Sequence, residues 1–530
     1  MRIGVIALAG LLLASVPAIR SEAAVFKWAN NGDATSMDPD TLDETVQLSF
    51  LGNIFEPLMN FDQHMKLEPL LATSWKMSTP TSWIIKLRSG VKFSDGTPFT
   101  ADDVVFSAKR IESKSSNLNN VLSEVTNVKK LGPLEVEFDT RRPDPILPFE
   151  MTNFYIMSQA WSEKHGATVP VILNGKNSNY AILHAMGTGP FELVSREPDR
   201  LTVLKANPGW WHKPTSNVTR VEFYVISNDA TRVAALLSGQ VDMIYDTPPQ
   251  DAARIRHTPG FHLISGPEMR TIFLGMDQSR PQLLESSVKG KNPFKDVRVR
   301  KAFLLAIDED AIAKHIMLGF AHPSFLLWGP GVNGYDPKID HRPAVNLPEA
   351  RKLLAEAGYP HGFEVGMDCP NDRYVNDAQI CTAVVSMLAK IGVKVNLLAQ
   401  EKAKYFAKIN PPGYDTSFYM LGWTPATADA ENSIYNLLGT RGSGRGLFNN
   451  GGYSNPKLDA LDQQIQVETN EAKRDALIDQ VGRIAEDDVA YIPLHQQVII
   501  YAAKNDIDLT QLPTNIFQLK WVNVAAKSAN

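Results

Sequence analysis

A strand, a helix and a second strand within residues 221–245 limit the folds open to this chain more than any other segment. Residues 221–226 and 241–245 are rich in β-branched and aromatic side chains, and residues 228–238 place apolar side chains at helical spacing. Two parallel strands that are joined by a helix are connected in the right-handed sense. The segment therefore predicts an α/β core built on a parallel sheet.

A second α/β series begins near residue 294 and predicts a second lobe. Its helices and strands are predicted at 296–306, 308–318, 348–357, 364–367, 376–390 and 394–398. A strand-like segment at 492–501 could return to the first lobe. Residues 58–185 have the pattern of a small α+β unit of their own, in which Thr100 and Asp103 predict a capping box at the start of a helix.

The first 24 residues have the pattern of a secretory signal. Arg2 precedes an apolar run, and small residues follow at Ser21, Ala23 and Ala24, as a cleavage site requires. No later segment offers ~18 apolar residues without charges. No cysteine lies near the cleavage site, so we expect a free periplasmic protein of a bacterium rather than a lipid-anchored one.

Composition narrows the function classes. The 530 residues are 44% hydrophobic and 21% charged, which is enough to bury large cores. A net charge of -5 argues against nucleic acid or an anionic membrane as the main partner. The two cysteines, Cys369 and Cys381, lie close together in an exported chain, so we expect a structural disulfide worth about 3 kcal/mol.

Motifs that carry catalysis are absent from the sequence. There is no G-x-S-x-G, H-E-x-x-H or G-x-x-x-x-G-K-[ST] pattern, and the eleven histidines are scattered. The sequence therefore predicts no enzyme, no cofactor and no metal site.

The stretch LGWTPATADAENSIYNLL, residues 421–438, combines a loop with the start of a helix. Gly422 and Pro425 break regular structure, and Asp429 suits the N-cap of the helix that follows. An aromatic residue and two carboxylates, Trp423, Asp429 and Glu431, thus lie where a loop enters a helix, which is an arrangement that can hold a ligand. A capped surface helix that follows a packed tryptophan is the alternative.

Motifs over nearly the whole mature chain follow the order of one known family. They read LATSWKMSTPTSWIIKLRSGVKFSDGTPFTADDVVFSAKR, GTGPF, ANPGWW, LLSGQVDMI, NPFKDVRVRKAFLLAID, ARKLLAEAGYP and GWTPATADAENS. In these motifs the chain resembles the extracellular solute-binding proteins of oligopeptide, dipeptide and nickel ABC transporters, and it is closest in kind to the dipeptide-binding members.

The resemblance implies an α/β, two-lobed periplasmic binding protein of type II, of the large class with an inserted domain, in which hinge strands join the lobes. The implied division is a signal peptide at 1–24, a discontinuous first lobe, an inserted α+β domain at 58–185 and a second lobe at 276–491. The first lobe comprises residues 25–57, 186–275 and 492–530.

The resemblance also implies ligand contacts. In dipeptide and oligopeptide members an aspartate three residues after the tryptophan of this loop pairs with the ligand's ammonium, but that position is Ala426 here. Asp429 could replace the lost acid or merely cap its helix, and Glu431 is a further candidate. Trp423 is either an apolar wall of the site or a core residue.

Two more segments are implied in ligand binding. Arg373 lies near the position of an arginine that pairs with the ligand's carboxylate in dipeptide-binding members, although a solvated loop arginine is equally compatible with the sequence. The polar loop NNGDATSMDPD could add backbone contacts from Gly32 to Ser36.

The expected function is capture of a peptide or peptide-like solute by the periplasmic substrate-binding subunit of an ABC importer. The expected partners are that solute and the permease and ATPase subunits of the inner membrane, and we expect a monomer that binds no nucleic acid. The missing acid at Ala426 favours, as an alternative, a non-peptide solute such as an opine, a sugar derivative, a haem or a metal chelate. A secreted hydrolase or a chaperone-like binder of unfolded chains is the rival class.

Overall fold

The computed structural model describes residues 24–172, 177–371, 373–410, 413–425, 427–442 and 445–525. The predicted signal sequence, apart from Ala24, and Ala426 lie outside these residues.

The described residues contain nineteen strands. These are β1 (Ala24–Asn30), β2 (Met59–Phe61), β3 (Leu67–Pro69), β4 (Ala72–Thr79), β5 (Ser82–Leu87), β6 (Val125–Gly132), β7 (Glu135–Thr140), β8 (Phe191–Glu197), β9 (Leu201–Ala206), β10 (Val218–Val225), β11 (Met243–Ile244), β12 (Phe261–Met276), β13 (Ala321–Pro323), β14 (Glu364–Pro370), β15 (Lys394–Gln400), β16 (Phe418–Trp423), β17 (Ile492–Lys504), β18 (Ile507–Asp508) and β19 (Asn523–Val524).

The same residues contain fourteen α-helices. These are α1 (Thr45–Leu51), α2 (Ala101–Ile111), α3 (Leu147–Glu150), α4 (Gln159–Lys164), α5 (Asp229–Leu237), α6 (Pro249–His257), α7 (Val297–Ala306), α8 (Glu309–His315), α9 (Leu347–Glu356), α10 (Asp377–Ala389), α11 (Lys402–Ile409), α12 (Ala430–Ser433), α13 (Pro456–Ile465) and α14 (Glu471–Asp487). Within the part of the chain that is described, no helix has the length and apolarity that a membrane span needs.

In the first lobe, β1 lies between β10 and β11 and is parallel to both. Helix α5 connects the two outer strands, and its N-cap Asn228 accepts a hydrogen bond from the backbone N–H of Thr231. The predicted strand–helix–strand crossover is therefore confirmed. Trp28 of β1 packs its ring 4.6 Å from that of Phe223 on β10, which places the core directly under these strands.

In the second lobe, β14 and β15 run parallel, with α10 between them in the chain, and β16 pairs with the other edge of β14. Cys369 on β14 is bonded to Cys381 in α10, and their Cα atoms are 6.6 Å apart. The disulfide closes a short loop that carries Arg373, so this loop is attached to the lobe at both ends.

Two long strands connect the lobes. β12 and β17 pair in antiparallel fashion from Phe261 opposite Lys504 to Leu274 opposite Ile492. One end of this ladder borders β11 of the first lobe, and the other end borders β16 of the second. The ladder is interrupted between Pro267 and Thr271, between its two ends. Irregularities of this kind bend a strand pair locally, as a connection between two bodies requires.

Between β3 and β8 in the chain, a separate four-stranded antiparallel sheet forms in the order β4-β5-β7-β6. Helix α2 is in contact with β6 and β7 of this sheet. The predicted capping box at its start is confirmed, because Thr100 accepts from the first turn and the Asp103 carboxylate accepts from the Thr100 N–H at 2.9 Å. At its other end, the buried Arg110 donates to the carboxylates of Asp38 and Asp40 in the loop after β1. This ion-pair cluster joins the small sheet to the first lobe.

Candidate functional site

A cavity of about 620 Å³ lies where the first lobe, the small α+β unit and the second lobe meet. Its volume is in the range of small-molecule sites. Its charged and aromatic lining residues are Asp43, Glu44, Glu56, Phe61, Tyr155, Arg270, Arg373, Trp423, Phe448 and Lys520. A molecule in this cavity would touch parts of the chain that move relative to one another if the hinge strands bend.

Two arginines share one region of the cavity. Arg270 lies on the hinge strand β12, where its Nε donates to the Thr424 hydroxyl at 3.1 Å and its Nη2 lies 3.2 Å from the carboxylate of Glu268. A Cβ built on Gly422 would meet the side chains of Arg270 and Tyr374, so only a residue without a side chain fits between them. Tyr374 in turn lies next to Arg373, whose guanidinium is 5.1 Å from its ring.

Arg373 lines the cavity, and its loop is fixed by hydrogen bonds of the backbone. Its backbone N–H and that of Tyr374 donate to the Asp377 carboxylate at 2.9 and 3.0 Å, which fixes the loop. Its side chain is half-buried and forms no ion pair within 4.0 Å with a carboxylate of a described residue. An arginine that lines a cavity and lacks a partner carboxylate is suited to bind an anionic group in two-pronged fashion.

Trp423 forms part of the cavity wall. It ends β16, its Nε1 donates to the Asn432 side-chain oxygen at 3.0 Å, and its ring centroid lies 4.9 Å from that of Phe448. The indole is half-buried and its only polar atom is satisfied. It therefore presents a fixed apolar surface to the cavity rather than a hydrogen-bonding group.

A cluster of amides and acids lines another part of the cavity. The side-chain oxygen of Asn117 accepts from the backbone N–H of Asp43 at 2.8 Å, and Asn120 donates to the exposed carboxylate of Asp43 at 3.5 Å. These contacts connect the loop before α1 with the loop after α2. The cavity thus has polar groups on the first lobe and the small α+β unit as well as on the second lobe.

The ANPGWW and GTGPF motifs support the cavity wall from within. Glu56 is buried and accepts from Trp210 Nε1 at 3.0 Å, Trp211 Nε1 at 2.8 Å and the Thr188 hydroxyl at 2.8 Å. Burial raises the pKa of Glu56, and the three donors act against that rise. The carboxyl group is fully engaged by the protein, so we assign it a structural role.

Asp429 does not line the cavity. Its carboxylate accepts two hydrogen bonds of 2.7 Å from Arg474, one of 2.8 Å from Asn333, and one of 2.9 Å from the backbone N–H of Glu431. The last bond is the N-cap of α12. Asp429 is fully buried, and its oxygens face the protein, so of the two roles predicted for it the structure shows capping.

Glu431 lines a separate cavity of about 150 Å³, which adjoins the first through Asn120, Asn153, Asn432 and Asn436. Gln466 donates to its Oε1 at 3.0 Å. Burial, together with the charges of Asp462 and Asp429, raises the pKa of Glu431 from 4.5 to about 8.

Gly32 and Ser36 are not among the residues that line either cavity. The Ser36 N–H donates to Gln47 at 3.1 Å, and its hydroxyl accepts from the Asp38 N–H at 3.0 Å. The Arg110 cluster holds the Asp38 end of this loop against α2, so the loop turns inward to the protein. The structure thus places Gly32 and Ser36 outside the lining of both cavities.

Among the residues that line the large cavity, sequence reasoning identified Arg373 and Trp423 and missed Arg270, Asp43 and Asn117. Arg270 lies in the middle of a strand whose other residues are mostly apolar, and a charged residue in such a run is the signal that could have identified it. Asp43 and Asn117 are far apart in sequence and gave no local signal. The position of Ala426 lies outside the described residues.

Comparison with known proteins settles the family. The family model described as bacterial extracellular solute-binding proteins, family 5 Middle, matches residues 66–445. The chain belongs to this family. It is a two-lobed solute-binding protein of the class that serves ABC importers, as the motifs predicted.

Relatives of this solute-binding protein are distant but match along its whole length. A glutathione-binding protein GsiB of Shigella dysenteriae serotype 1 is 24% identical over 516 residues, which is 96% of this chain and 95% of that protein. Among solved structures, AgaA from A. tumefaciens R10 in complex with agropinic acid is 24% identical, with a TM-score of 0.76 over 95% of this chain and 99% of that one. DppA from Helicobacter pylori in complex with the peptide STSA is 21% identical, with a TM-score of 0.77 over 95% and 98%.

Within the described ranges, no group of three or more histidine, cysteine, aspartate or glutamate side chains is arranged to hold a metal ion.

Proposed function

We propose that this chain is the periplasmic substrate-binding subunit of an ABC importer and captures a small solute that carries a free carboxylate, either a peptide or a peptide-like compound such as an opine. The observation that carries the proposal is the pair Arg270 and Arg373 on one region of a cavity of about 620 Å³. The Arg270 guanidinium is paired with Glu268 at 3.2 Å, whereas Arg373 has no ion pair within 4.0 Å among the described residues and would receive the carboxylate.

Capture follows from the position of the cavity. A solute paired with Arg373 of the second lobe, and hydrogen-bonded to the Asp43 and Asn117 side of the cavity, binds the closed arrangement of the lobes better than an open one. It therefore shifts the hinge equilibrium towards closure. A micromolar affinity requires about 8 kcal/mol, which one desolvated ion pair, several amide contacts and the Trp423 surface are able to supply.

The proposal extends to partners and location. A permease and ATPase in the inner membrane would receive the solute from the closed form of a monomer. Residues 1–24 would direct the chain to the periplasm and be removed there. The solute leaves chemically unchanged.

The first test is native mass spectrometry of protein purified without refolding, which would detect a co-purified solute and give its mass. Titration calorimetry with that solute then compares the wild type with Arg373→Gln. We expect Arg373→Gln to weaken binding by about 10- to 100-fold, since hydrogen bonds to a charged group contribute about 1.5 to 3 kcal/mol.

Arg298→Gln is the matched control. Arg298 is an exposed arginine of the second lobe, paired with Asp296, and is not among the residues that line the cavity. It should bind the solute as the wild type does. Unchanged affinity in Arg373→Gln, or a product in place of the solute after incubation, would refute the proposal.

A further inference from the structure

The small cavity that adjoins the main one is strongly acidic. It measures about 150 Å³, and its charged lining residues are four carboxylates and two arginines, namely Glu124, Asp144, Glu150, Glu431, Arg142 and Arg474. The small α+β unit supplies Glu124, Asp144 and Glu150, and the second lobe supplies Glu431. We call this cavity the acidic side pocket.

The two arginines of the acidic side pocket already have partners. Arg474 donates two hydrogen bonds of 2.7 Å to Asp429 and one of 3.2 Å to the carbonyl of Ile465. Arg142 donates to Glu124 at 3.0 Å and to the side-chain oxygen of Gln466. Neither guanidinium forms an ion pair within 4.0 Å with Asp144, Glu150 or Glu431.

Three carboxylates of the pocket have a buried oxygen without a hydrogen-bond partner among the described residues, and two of them, Asp144 and Glu150, also lack an ion pair within 4.0 Å there. Asp144 is 4% exposed; its Oδ1 accepts from the Ile146 N–H at 3.2 Å, but its buried Oδ2 has no hydrogen-bond partner. The buried Oε2 of Glu150 likewise has none. Buried carboxylate oxygens normally have a partner, so these two atoms are able to accept from a donor that enters the pocket.

The electrostatics agree with this geometry. Burial, with a smaller contribution from the charge of Glu124, raises the pKa of Asp144 to about 6. Burial also raises the pKa of Glu150, to which the charges of Asp144 and Glu431 add. A cation placed among these groups would reverse these shifts and restore the ionised carboxylates.

We propose that the acidic side pocket receives a guanidinium group of the solute. The inference rests on the proposed function and specifies its substrate class as a compound with both a carboxylate and a basic group. The solute's carboxylate lies at Arg373, and its basic group passes Asn432 and Asn436, which line both cavities, to reach Glu150, Asp144 and Glu431. A guanidinium would donate to the free oxygens of both Asp144 and Glu150.

Peptides that differ only in the charge of one side chain test whether the acidic side pocket binds a cation. Ala-Arg and Ala-Ala-Arg are compared by calorimetry with the same peptides in which citrulline replaces arginine, because citrulline keeps the shape and removes the charge. We expect the arginine peptides to bind wild-type protein at least about tenfold more tightly, a difference of about 1.4 kcal/mol. In Glu150→Gln/Glu431→Gln this ratio should fall to near one, with the citrulline affinity unchanged.

The control variant is Asp102→Asn, because Asp102 is an exposed carboxylate of the small α+β unit that lines neither cavity. It should keep the arginine-to-citrulline ratio of the wild type. A ratio near one in the wild type, or a ratio that only Asp102→Asn abolishes, would overturn the inference while leaving the proposed function intact.

A probe without a carboxylate separates the two proposals completely. Agmatine carries a guanidinium, and N-carbamoylputrescine replaces that group by a neutral urea. In saturation-transfer NMR we expect wild-type protein to bind agmatine in preference, and Glu150→Gln/Glu431→Gln to lose the preference. If the wild-type protein shows no preference for agmatine, the inference is wrong, whether or not any peptide binds. If agmatine is preferred but none of the peptides binds, only the peptide part of the proposed function is wrong.

Discussion

Replacing Asp429 distinguishes a ligand contact from a structural ion pair. The structure gives its carboxylate four hydrogen bonds, of which two come from Arg474, and the paired side chains are 0% and 5% exposed. Asp429→Asn keeps an oxygen for the helix cap but removes the charge. Asp429→Ala removes both.

The magnitude follows from burial. Breaking a buried ion pair leaves an uncompensated guanidinium and costs about 3 to 5 kcal/mol. Loss of an N-cap costs about 1 kcal/mol more. For a lobe of about 200 residues, each kcal/mol lowers the melting temperature by roughly 2 to 4 °C. We therefore expect Asp429→Asn to melt about 6 to 20 °C below the wild type and Asp429→Ala slightly lower still.

The assay is differential scanning calorimetry of both variants together with Arg474→Gln and the double variant Asp429→Asn/Arg474→Gln. In this cycle the double variant should lose less free energy of unfolding than the two single variants lose together. The reason is that the double variant contains neither the unpaired carboxylate nor the unpaired guanidinium. Affinity for the citrulline peptides, which bring no charge into the acidic side pocket, should stay within about twofold of the wild type when measured well below the melting temperature, since Asp429 lines neither cavity. A variant with an unchanged melting temperature and tenfold weaker binding would refute the structural role and restore the ligand contact.

Three further predictions concern other parts of the chain. Arg110→Met should lower the free energy of unfolding by about 3 to 5 kcal/mol in calorimetry, because it leaves two buried carboxylates without their cation. A melting temperature equal to that of the wild type would contradict this prediction. The pKa of Glu431 rises from 4.5 to about 8 on folding, so its contribution to stability is full below pH 4.5 and is lost as the pH rises through 8. The melting temperature of Glu431→Gln should therefore rise relative to that of the wild type between those pH values. A difference in melting temperature that does not change with pH would contradict the assignment. Cys369→Ala/Cys381→Ala should unfold in urea with a loss of about 3 kcal/mol, whereas a reducing agent should have no effect on this variant.

Local patterns predicted much of the fold. The crossover at residues 221–245 and the capping box at Thr100 depend on residues that are neighbours in the chain, and both are confirmed. The helix that begins after Asp429 was likewise expected from its N-cap. Such features are determined by backbone conformation and by hydrogen bonds over a few residues, so the sequence contains them directly.

The site was predicted only in part. Trp423 and Arg373 line the large cavity, as the resemblance implied, but the loop with Gly32 and Ser36 does not reach it. The reason is Arg110, which lies about seventy residues later in the chain and holds that loop through Asp38. No pattern in the sequence near Asp38 or near Arg110 predicts that these two residues form an ion pair.

The amino-acid sequence by itself determined the α/β class, the helix starts and the family, because each depends on short patterns or on ordered motifs. Tertiary structure alone decided which carboxylates are available to a solute. Asp429 and Glu431 are two residues apart, yet Asp429 forms an ion pair with Arg474 and Glu431 lines the acidic side pocket. Pairing depends on which charges the fold brings within hydrogen-bond distance and how far it removes them from water, and both are properties of distant residues meeting in space.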